Sequence, residues 1–421
     1  MITVLKASEY SFDRRYIAEK DEKVEETVAR IIEEVKQHGD EALLELTERF
    51  DGVRPSLTVT GEEIESAYKS CDPLFLSGLE KAAANIRRFH KEQLYTGFEI
   101  REEGIVLGQR VLPLQRVGIY VPGGTASYPS TVLMNAIPAV LAGVKEIAMV
   151  SPPGKDAKIA PGVLAAAKLA GVSEIYRCGG VQAIAALAYG TQTIEPVDKI
   201  VGPGNIFVAT AKKQVFGLVD IDMVAGPSEI LVIADESARA DFVAADLLSQ
   251  AEHDVLARPM LICFSEEFSE KVTQELKAQL ALLERKEIAG RSLREHGVIM
   301  IADTMEEAVK ACNALAPEHL VLAVQNPVEW LPLVKHAGSI FLGHYSPEPL
   351  GDYWAGPNHT LPTMGTARFA SPLSVEDFVK RSSYIQYSKQ ALENVSEDIR
   401  RLAEYEGLEA HARAVDIRRK R

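Results

Sequence analysis

Gln250 and His253 are the first residues whose types and spacing suggest chemistry, because they stand three positions apart at the end of a helical pattern. Residues three apart on a helix are neighbours, so both side chains can point the same way. An amide oxygen and an imidazole nitrogen can bind a metal ion if other ligands come from elsewhere in the chain. The alternative is a polar helix end with a solvated histidine, since metal sites are recognised by clusters.

Further clusters of histidine and carboxylate residues follow in the second half of the chain. They are PEH at 317–319, GDYWAGPNHTLPT at 351–363 and EGLEAH at 406–411. In the first cluster, Glu318 and His319 end a helical pattern just before an apolar run. His can take and return a proton near neutral pH, and Glu can activate water. The alternative for this pair is a polar turn with a helix-end histidine.

These three stretches, together with AGPSE at 225–229 and SQAEHD at 249–254, closely resemble the histidinol dehydrogenase family in the same order. The resemblance extends from about Arg116 to the C-terminus. It implies L-histidinol dehydrogenase activity, the last step of histidine biosynthesis. The amino alcohol L-histidinol would be oxidised through L-histidinal to L-histidine, with two NAD⁺ used in succession. One Zn²⁺ per subunit would hold the substrate's imidazole and amine, since zinc has no redox role.

The same resemblance implies a role for each candidate residue. His319 would accept the hydroxyl proton, and Glu318 would activate the water that adds to the aldehyde. The implied metal ligands are Gln250, His253, Asp352 and His411. The implied substrate contacts are those four ligands and His319, with Ser228, His359 and Glu406. Without the resemblance, the alternative for Asp352 is a turn-stabilising role, and that for His411 is a surface position. For Ser228, His359 and Glu406 the alternative is a cap or an ordinary surface role.

The signals for a cofactor are weaker, because no GxGxxG follows a first strand. The resemblance implies NAD⁺ contacts at Tyr120, Gln182 and Asn205. The glycines of PGG at 122–124 and GPGN at 202–205 permit close backbone approach to a ligand, although such glycines often serve only a turn. Cys178 beside two glycines is an alternative nucleophile that would hold an aldehyde as a thiohemiacetal, but no activating residue stands beside it.

Alternating strands and helices must position these residues, which predicts an α/β fold with mainly parallel sheets. The apolar run at 229–234 is typical of a strand buried on both faces, and Ser237 could cap the helix that follows. The first hundred residues are mainly helical, and residues 98–121 favour strands. Further strands are predicted at 146–150, 174–177, 199–201, 260–264, 298–302, 320–324 and 339–342. We expect strand-ending loops to meet in a cleft, where ligands of open α/β sheets usually bind.

Two Rossmann-like domains are expected, and the resemblance implies that one is inserted in the other. Residues 1–120 would supply N-terminal helices and the first part of the larger domain, and 121–228 the inserted domain. Residues 229–374 would complete the larger domain, and 375–421 would form a helical tail. The tail has no core of its own, so a homodimer that exchanges this element is expected. The resemblance implies the same, with each tail completing the partner's active site. The alternative is a tail that folds back on its own chain.

Composition limits the other classes of function. The net charge of −14 argues against a nucleic-acid-binding protein. Neither a signal peptide nor an apolar run of about 20 residues is present, so a cytoplasmic location without membrane contact is expected. Four cysteines without a CxxC pattern predict reduced thiols. The alternative function for the same residues is a zinc-dependent hydrolase or a non-catalytic metal-binding protein.

Overall fold

A computed structural model describes residues 2–10, 22–123 and 127–419, which form a mixed α/β structure. Its strands are β1 (Thr3–Lys6), β2 (Gly97–Glu102), β3 (Ile105–Pro113), β4 (Arg116–Tyr120), β5 (Glu146–Ser151), β6 (Glu174–Arg177), β7 (Lys199–Val201), β8 (Asp220–Ile221), β9 (Glu229–Ala234), β10 (Arg258–Cys263), β11 (Val298–Ile301), β12 (His319–Ala323), β13 (Ser339–Leu342) and β14 (Val379–Tyr387). The helices are α1 (Glu22–His38), α2 (Asp40–Asp51), α3 (Gly61–Ser70), α4 (Pro73–Lys91), α5 (Pro129–Ala142), α6 (Pro161–Ala170), α7 (Gly180–Tyr189), α8 (Ile206–Val215), α9 (Ala240–Ala251), α10 (Glu266–Leu280), α11 (Lys286–Glu295), α12 (Met305–Leu315), α13 (Pro327–Trp330), α14 (Glu348–Leu350), α15 (Lys389–Tyr405) and α16 (Glu409–Arg419). The predicted α/β strands agree with these bounds to within two residues.

Two parallel sheets carry the α/β part of the chain. The first has five strands in the order β6-β5-β4-β7-β8, and the second has six in the order β1-β11-β10-β9-β12-β13. Numbered from β4, the first sheet has the order 3-2-1-4-5. The second has the same order numbered from β9, with β1 added at its edge. This order is the doubly wound arrangement, so the prediction of two Rossmann-like sheets is confirmed.

The N-terminal helices cover the five-stranded sheet. Helix α1 buries an apolar face that includes Val28 and Val35, and it packs on α7 and α8. Helices α3 and α4 pack on α6 and α5. Of the elements before residue 120, only β1 joins the six-stranded sheet, and β4 is a central strand of the five-stranded one. The N-terminal helices and β4 thus belong with the five-stranded sheet, whereas residues 1–120 were predicted to belong to the larger domain. The other predicted boundaries stay predictions.

A second compact unit consists of Leu94–Leu114 and Val379–Arg421. It contains an antiparallel sheet in the order β14-β3-β2, followed by α15 and α16. The prediction of a wholly helical segment after residue 375 was therefore wrong for β14. That strand pairs along its full length with β3, about 270 positions earlier, from Val379 opposite Pro113 to Tyr387 opposite Ile105. A partner so distant in sequence leaves no local pattern, so helical spacing alone could not reveal the strand.

Three smaller features bear on the sequence predictions. Ser237 does not cap α9, which begins after Arg239; its hydroxyl instead donates to the Asp235 carboxylate. All four cysteines are free thiols, as predicted. Across the described ranges, no helix combines the length and the apolar character that crossing a membrane requires.

Candidate active site

Glu318 and His319 lie at the amino edge of the six-stranded sheet. His319 is the first residue of β12, and it is aligned with Ile230 of β9 and Ser339 of β13. The sequence placed this pair just before a strand, which agrees with the structure, although the general expectation of a cleft formed by strand-ending loops does not describe this edge. The reason is the path of α9, which leaves the carboxyl end of β9 and must return to the amino edge before β10 begins. That return brings the end of α9, with Gln250 and His253, to the same edge.

The backbone of Glu229 holds both members of the pair. The ring Nδ1 of His319 lies 2.9 Å from the Glu229 carbonyl oxygen. The Glu229 N–H donates to Oε2 of Glu318 at 2.8 Å. A carbonyl can only accept, so Nδ1 of His319 carries the hydrogen and Nε2 keeps a lone pair in the neutral ring. Nε2 is buried and has no hydrogen-bond partner in the structure, so it is free to accept a proton from a ligand.

Burial sets the protonation of this pair in the absence of a cation. Burial is the largest cause that lowers the pKa of His319, so the ring stays neutral and its Nε2 keeps a lone pair. Burial also raises the pKa of Glu318 well above its ordinary value. The Glu229 N–H opposes that rise, and the carboxylates of Glu229, Asp352 and Glu348 add to it. A cation bound among these carboxylates would favour the ionised form of Glu318.

His253, Glu348 and Asp352 form a candidate metal centre. Their ligand atoms all lie within 4.8 Å of one another. Burial raises the pKa of Glu348 to about 7, and the nearby Asp352 carboxylate adds to that rise. Burial also raises the pKa of Asp352 to about 6. Oε1 of Glu348 is buried without a hydrogen-bond partner. An imidazole nitrogen with carboxylate oxygens is a donor set that suits Zn²⁺.

Glu348 is a functional candidate that the sequence analysis missed. It stands four positions before Asp352 in a short helical segment, since α14 runs directly into a π-helical turn at Gly351–Ala355. The hydroxyl of Ser249 on α9 donates to its second oxygen at 3.2 Å. A carboxylate pair at this spacing was the available signal, but the surrounding stretch is rich in Gly and Pro and shows no helical periodicity.

Gln250 fits the predicted role of a ligand. Its side chain is 0% exposed, and both Oε1 and Nε2 lack hydrogen-bond partners in the structure. A buried amide without partners is unfavourable unless a bound group satisfies it. It lies in the last turn of α9, three residues before His253. Two of the four predicted ligands, His253 and Asp352, are brought together directly, and the role of Gln250 stays a prediction.

The remaining predicted substrate contacts lie in three places. His359 is close to the metal centre, with Nδ1 3.7 Å from Oδ1 of Asp352, and burial lowers its pKa to about 4. Ser228 immediately precedes β9, and its carbonyl accepts from the Arg258 N–H at 2.9 Å. Glu406 and His411 belong to the second compact unit, where both are exposed, at the end of α15 and in α16. Their roles stay predictions.

The predicted NAD⁺ contacts follow strands of the five-stranded sheet at its carboxyl edge. Tyr120 ends β4, and its hydroxyl accepts from the Gly180 N–H at 3.1 Å. Gln182 is buried in the first turn of α7, and Asn205 caps α8. Strands β4 and β7 flank the point where the strand order reverses, which is where doubly wound sheets bind nucleotides.

A close backbone approach is built into this switch point. Gly202 has φ +114°, and a Cβ there would lie 2.1 Å from the carbonyl oxygen of Tyr120. Only glycine therefore fits at the start of GPGN. Gly124 of the PGG turn lies outside the described residues.

Cys178 does not have the properties of a nucleophile. The thiol is fully buried in the hydrophobic core, and burial raises its pKa to about 12. A thiol with such a pKa stays protonated at neutral pH, whereas nucleophilic cysteines act as thiolates. The structure therefore disfavours the thiohemiacetal alternative.

Known proteins resemble this chain in both sequence and fold. The family model for histidinol dehydrogenase matches residues 14–419. A histidinol dehydrogenase from Clostridium acetobutylicum is 56% identical over 394 residues, which is 93% of this chain and 91% of the relative. One from Bacillus subtilis is 55% identical over 410 residues, covering 97% and 96%. The crystal structure of histidinol dehydrogenase from Elizabethkingia anophelis is 38% identical and has a TM-score of 0.92 over 100% of this chain and 98% of that one. A match of this extent to both sequence and fold shows that the chain belongs to the histidinol dehydrogenase family of oxidoreductases.

Proposed function

We propose that the protein oxidises L-histidinol through L-histidinal to L-histidine, with Zn²⁺ and two molecules of NAD⁺. The observation that carries the proposal is the free Nε2 of His319 beside a cluster of metal-binding side chains. The ring is held in one tautomer by the Glu229 carbonyl, so its free nitrogen is a base of fixed direction. Family membership supplies the reaction class.

His319 acts in the first oxidation. Its Nε2 takes the proton of the substrate hydroxyl as the carbinol carbon loses a hydride. Two features of the ring suit it to this role. Burial keeps the imidazole neutral, and the Nδ1 hydrogen bond prevents the ring from turning. NAD⁺ would be the hydride acceptor in both oxidations.

Glu318 acts in the second oxidation. Its carboxylate takes a proton from the water that adds to the aldehyde, and the hydrate then loses a second hydride to give the carboxylate product. The Glu229 N–H donates to Oε2 of Glu318 and so holds the carboxylate in place. Ionisation of Glu318 needs the positive charge of a bound cation, because burial and its acidic neighbours raise its pKa.

The metal would be held by Gln250, His253, Asp352 and His411. When bound, Zn²⁺ would supply a positive charge that orients the imidazole and amine of the substrate. Support comes from the close ligand atoms of His253 and Asp352 and from the orphaned amide of Gln250. Ser228, His359 and Glu406 would contact the substrate. Tyr120, Gln182 and Asn205 would contact NAD⁺ at the switch point of the five-stranded sheet.

One assay separates this function from a zinc-dependent hydrolase. L-Histidinol and NAD⁺ are added to the protein, and NADH absorbance is followed before chelation, after chelation and after zinc is returned. We expect NADH to form, to stop forming when the metal is removed, and to form again with zinc. Full activity of metal-free protein would end the zinc proposal. A hydrolase would form no NADH under any of these conditions.

We also propose that the protein is a cytoplasmic homodimer in which each tail completes the partner's site. Helix α15 supports an intersubunit role, because Leu402 and Tyr405 are 69% and 96% exposed. Two inactive variants, His319→Ala and His411→Ala, test it when their subunits are exchanged. If tails cross, hybrid dimers have one site with both residues intact, and activity returns. If each tail serves its own chain, every site carries a lesion and activity stays absent.

A further inference from the structure

Helix α5 contains a proline in its interior, Pro138, which is buried. Proline has no N–H, so the carbonyl four positions earlier, that of Met134, loses its helical partner. The ring also crowds that carbonyl and turns it away from the helix axis. Because Met134 is fully buried, its carbonyl needs a donor from outside the helix.

Asn358 provides that donor. Its Nδ2 donates to the Met134 carbonyl at 2.6 Å, and its Oδ1 accepts from the Thr360 N–H at 2.9 Å. The side chain is 4% exposed, so both bonds are shielded from water. One end of the amide is thus attached to α5, and the other closes a turn around the next residue. That residue is His359.

The turn places His359 next to the Asp352 segment, which is held by a separate hydrogen bond. Nδ1 of His359 is 3.7 Å from Oδ1 of Asp352. The Asp352 segment is held separately, because Nδ2 of Asn85 on α4 donates to the Trp354 carbonyl at 2.9 Å. Two asparagines therefore fix two adjacent parts of the site: Asn85 the part with a predicted metal ligand, and Asn358 the part with a predicted substrate contact.

We propose that Pro138 and Asn358 act together as positioning residues for substrate binding. Pro138 frees the Met134 carbonyl, and Asn358 uses that carbonyl to hold His359 beside Asp352. The contact joins a helix that packs against the five-stranded sheet to the loop that carries His359. The proposal rests on the proposed function in one respect, namely that His359 contacts L-histidinol.

The test compares Pro138→Ala, Asn358→Ala and the double variant with the native protein, all loaded with zinc. Loss of a buried hydrogen bond should raise the KM for L-histidinol about tenfold in Asn358→Ala. Pro138→Ala should raise it about threefold, because the new N–H competes for the same carbonyl and draws it back into the helix. The double variant should resemble Asn358→Ala alone, since both changes weaken one bond. The amount of bound zinc and the KM for NAD⁺ should stay within about twofold of native. A general loss of structure would change these quantities together with the KM for L-histidinol.

Two control variants complete the design. Asn85→Ala should lower zinc binding, because its anchor serves the Asp352 segment. Pro161→Ala, at the first turn of α6 where no helical carbonyl is freed, should change none of these quantities. Hydrogen exchange is also measured on peptides covering 357–363 without substrate or cofactor. It should be faster in Asn358→Ala and in Pro138→Ala.

Several results would overturn the proposal. They are a native KM and native exchange in Asn358→Ala, additive effects in the double variant, or equal changes in the two KM values. If Asn358→Ala does not fold, Pro138→Ala still tests the proposal. It removes no hydrogen-bonding group, so it is expected to fold. Suppose that hydrogen exchange is faster in the variants but the native protein shows no NAD⁺-dependent oxidation. That result would contradict the proposed function and would still support the attachment of the loop to α5.

Discussion

Replacing Gln250 by Leu should stabilise the metal-free protein, although it should damage the metal-bound enzyme. The amide is 0% exposed, and neither of its polar atoms has a partner. Each unsatisfied buried group costs about 1–3 kcal/mol, and Leu has a similar volume without those groups. The free energy of unfolding of the metal-free protein should therefore rise by about 2–6 kcal/mol.

The same substitution should weaken zinc binding. Loss of a residue that only supports a ligand costs about 10–100-fold in metal affinity, so loss of a ligand should cost about 100-fold or more. Stability and affinity should thus move in opposite directions, which identifies a side chain kept for binding rather than for folding.

The assay is denaturant unfolding after chelation, with a zinc titration in parallel. Asn358→Leu is the matched control, because its buried amide makes two hydrogen bonds and its loss should lower stability. The reasoning is refuted if metal-free Gln250→Leu is less stable than native protein, or if zinc affinity is unchanged.

Three further predictions concern single groups. Glu318→Gln keeps the shape but removes the base, so it should slow oxidation of L-histidinal about 10²–10⁴-fold and oxidation of L-histidinol far less; a native rate with L-histidinal in stopped-flow measurements would contradict this role. His90 is buried, and that burial lowers its pKa. The free energy of unfolding should therefore fall as the pH drops below about 6.5, the pKa of histidine in the unfolded chain, and it should fall less in His90→Gln between pH 7 and 5. Equal pH slopes in denaturant titrations would exclude that contribution. Lys212→Met removes the positive charge that pairs with the buried carboxylate of Asp222 and should cost about 3–5 kcal/mol, most of which should return in the double variant with Asp222→Asn; a stable single variant would contradict this.

Regular elements were predictable because their signals are local. The apolar run of β9 and the helical stripe of α9 each indicate their structure within a dozen residues. The mainly parallel character of both sheets was predictable from the α/β alternation, whereas their strand order was not predicted. The pairing of β14 with β3 was not predictable, because its partner is distant in sequence.

The site was predictable in part, and its geometry was not. Spacing along α9 suggested Gln250 and His253, and the resemblance supplied Asp352. The backbone of Glu229, which sets the tautomer of His319, carries no sequence signal, since any residue has an N–H and a carbonyl. The general rule that ligands of α/β sheets bind beyond the carboxyl ends of strands does not describe this site, because α9 returns to the amino edge.

The amount of NADH formed for each L-histidinol consumed tests the account most directly. The zinc-loaded protein is given limiting L-histidinol and excess NAD⁺, and NADH and the organic product are both measured at completion. We predict two NADH for each L-histidinol, with L-histidine as the product and chelation abolishing both. One NADH with L-histidinal accumulating would contradict the role given to Glu318, and no NADH at all would contradict the proposed function.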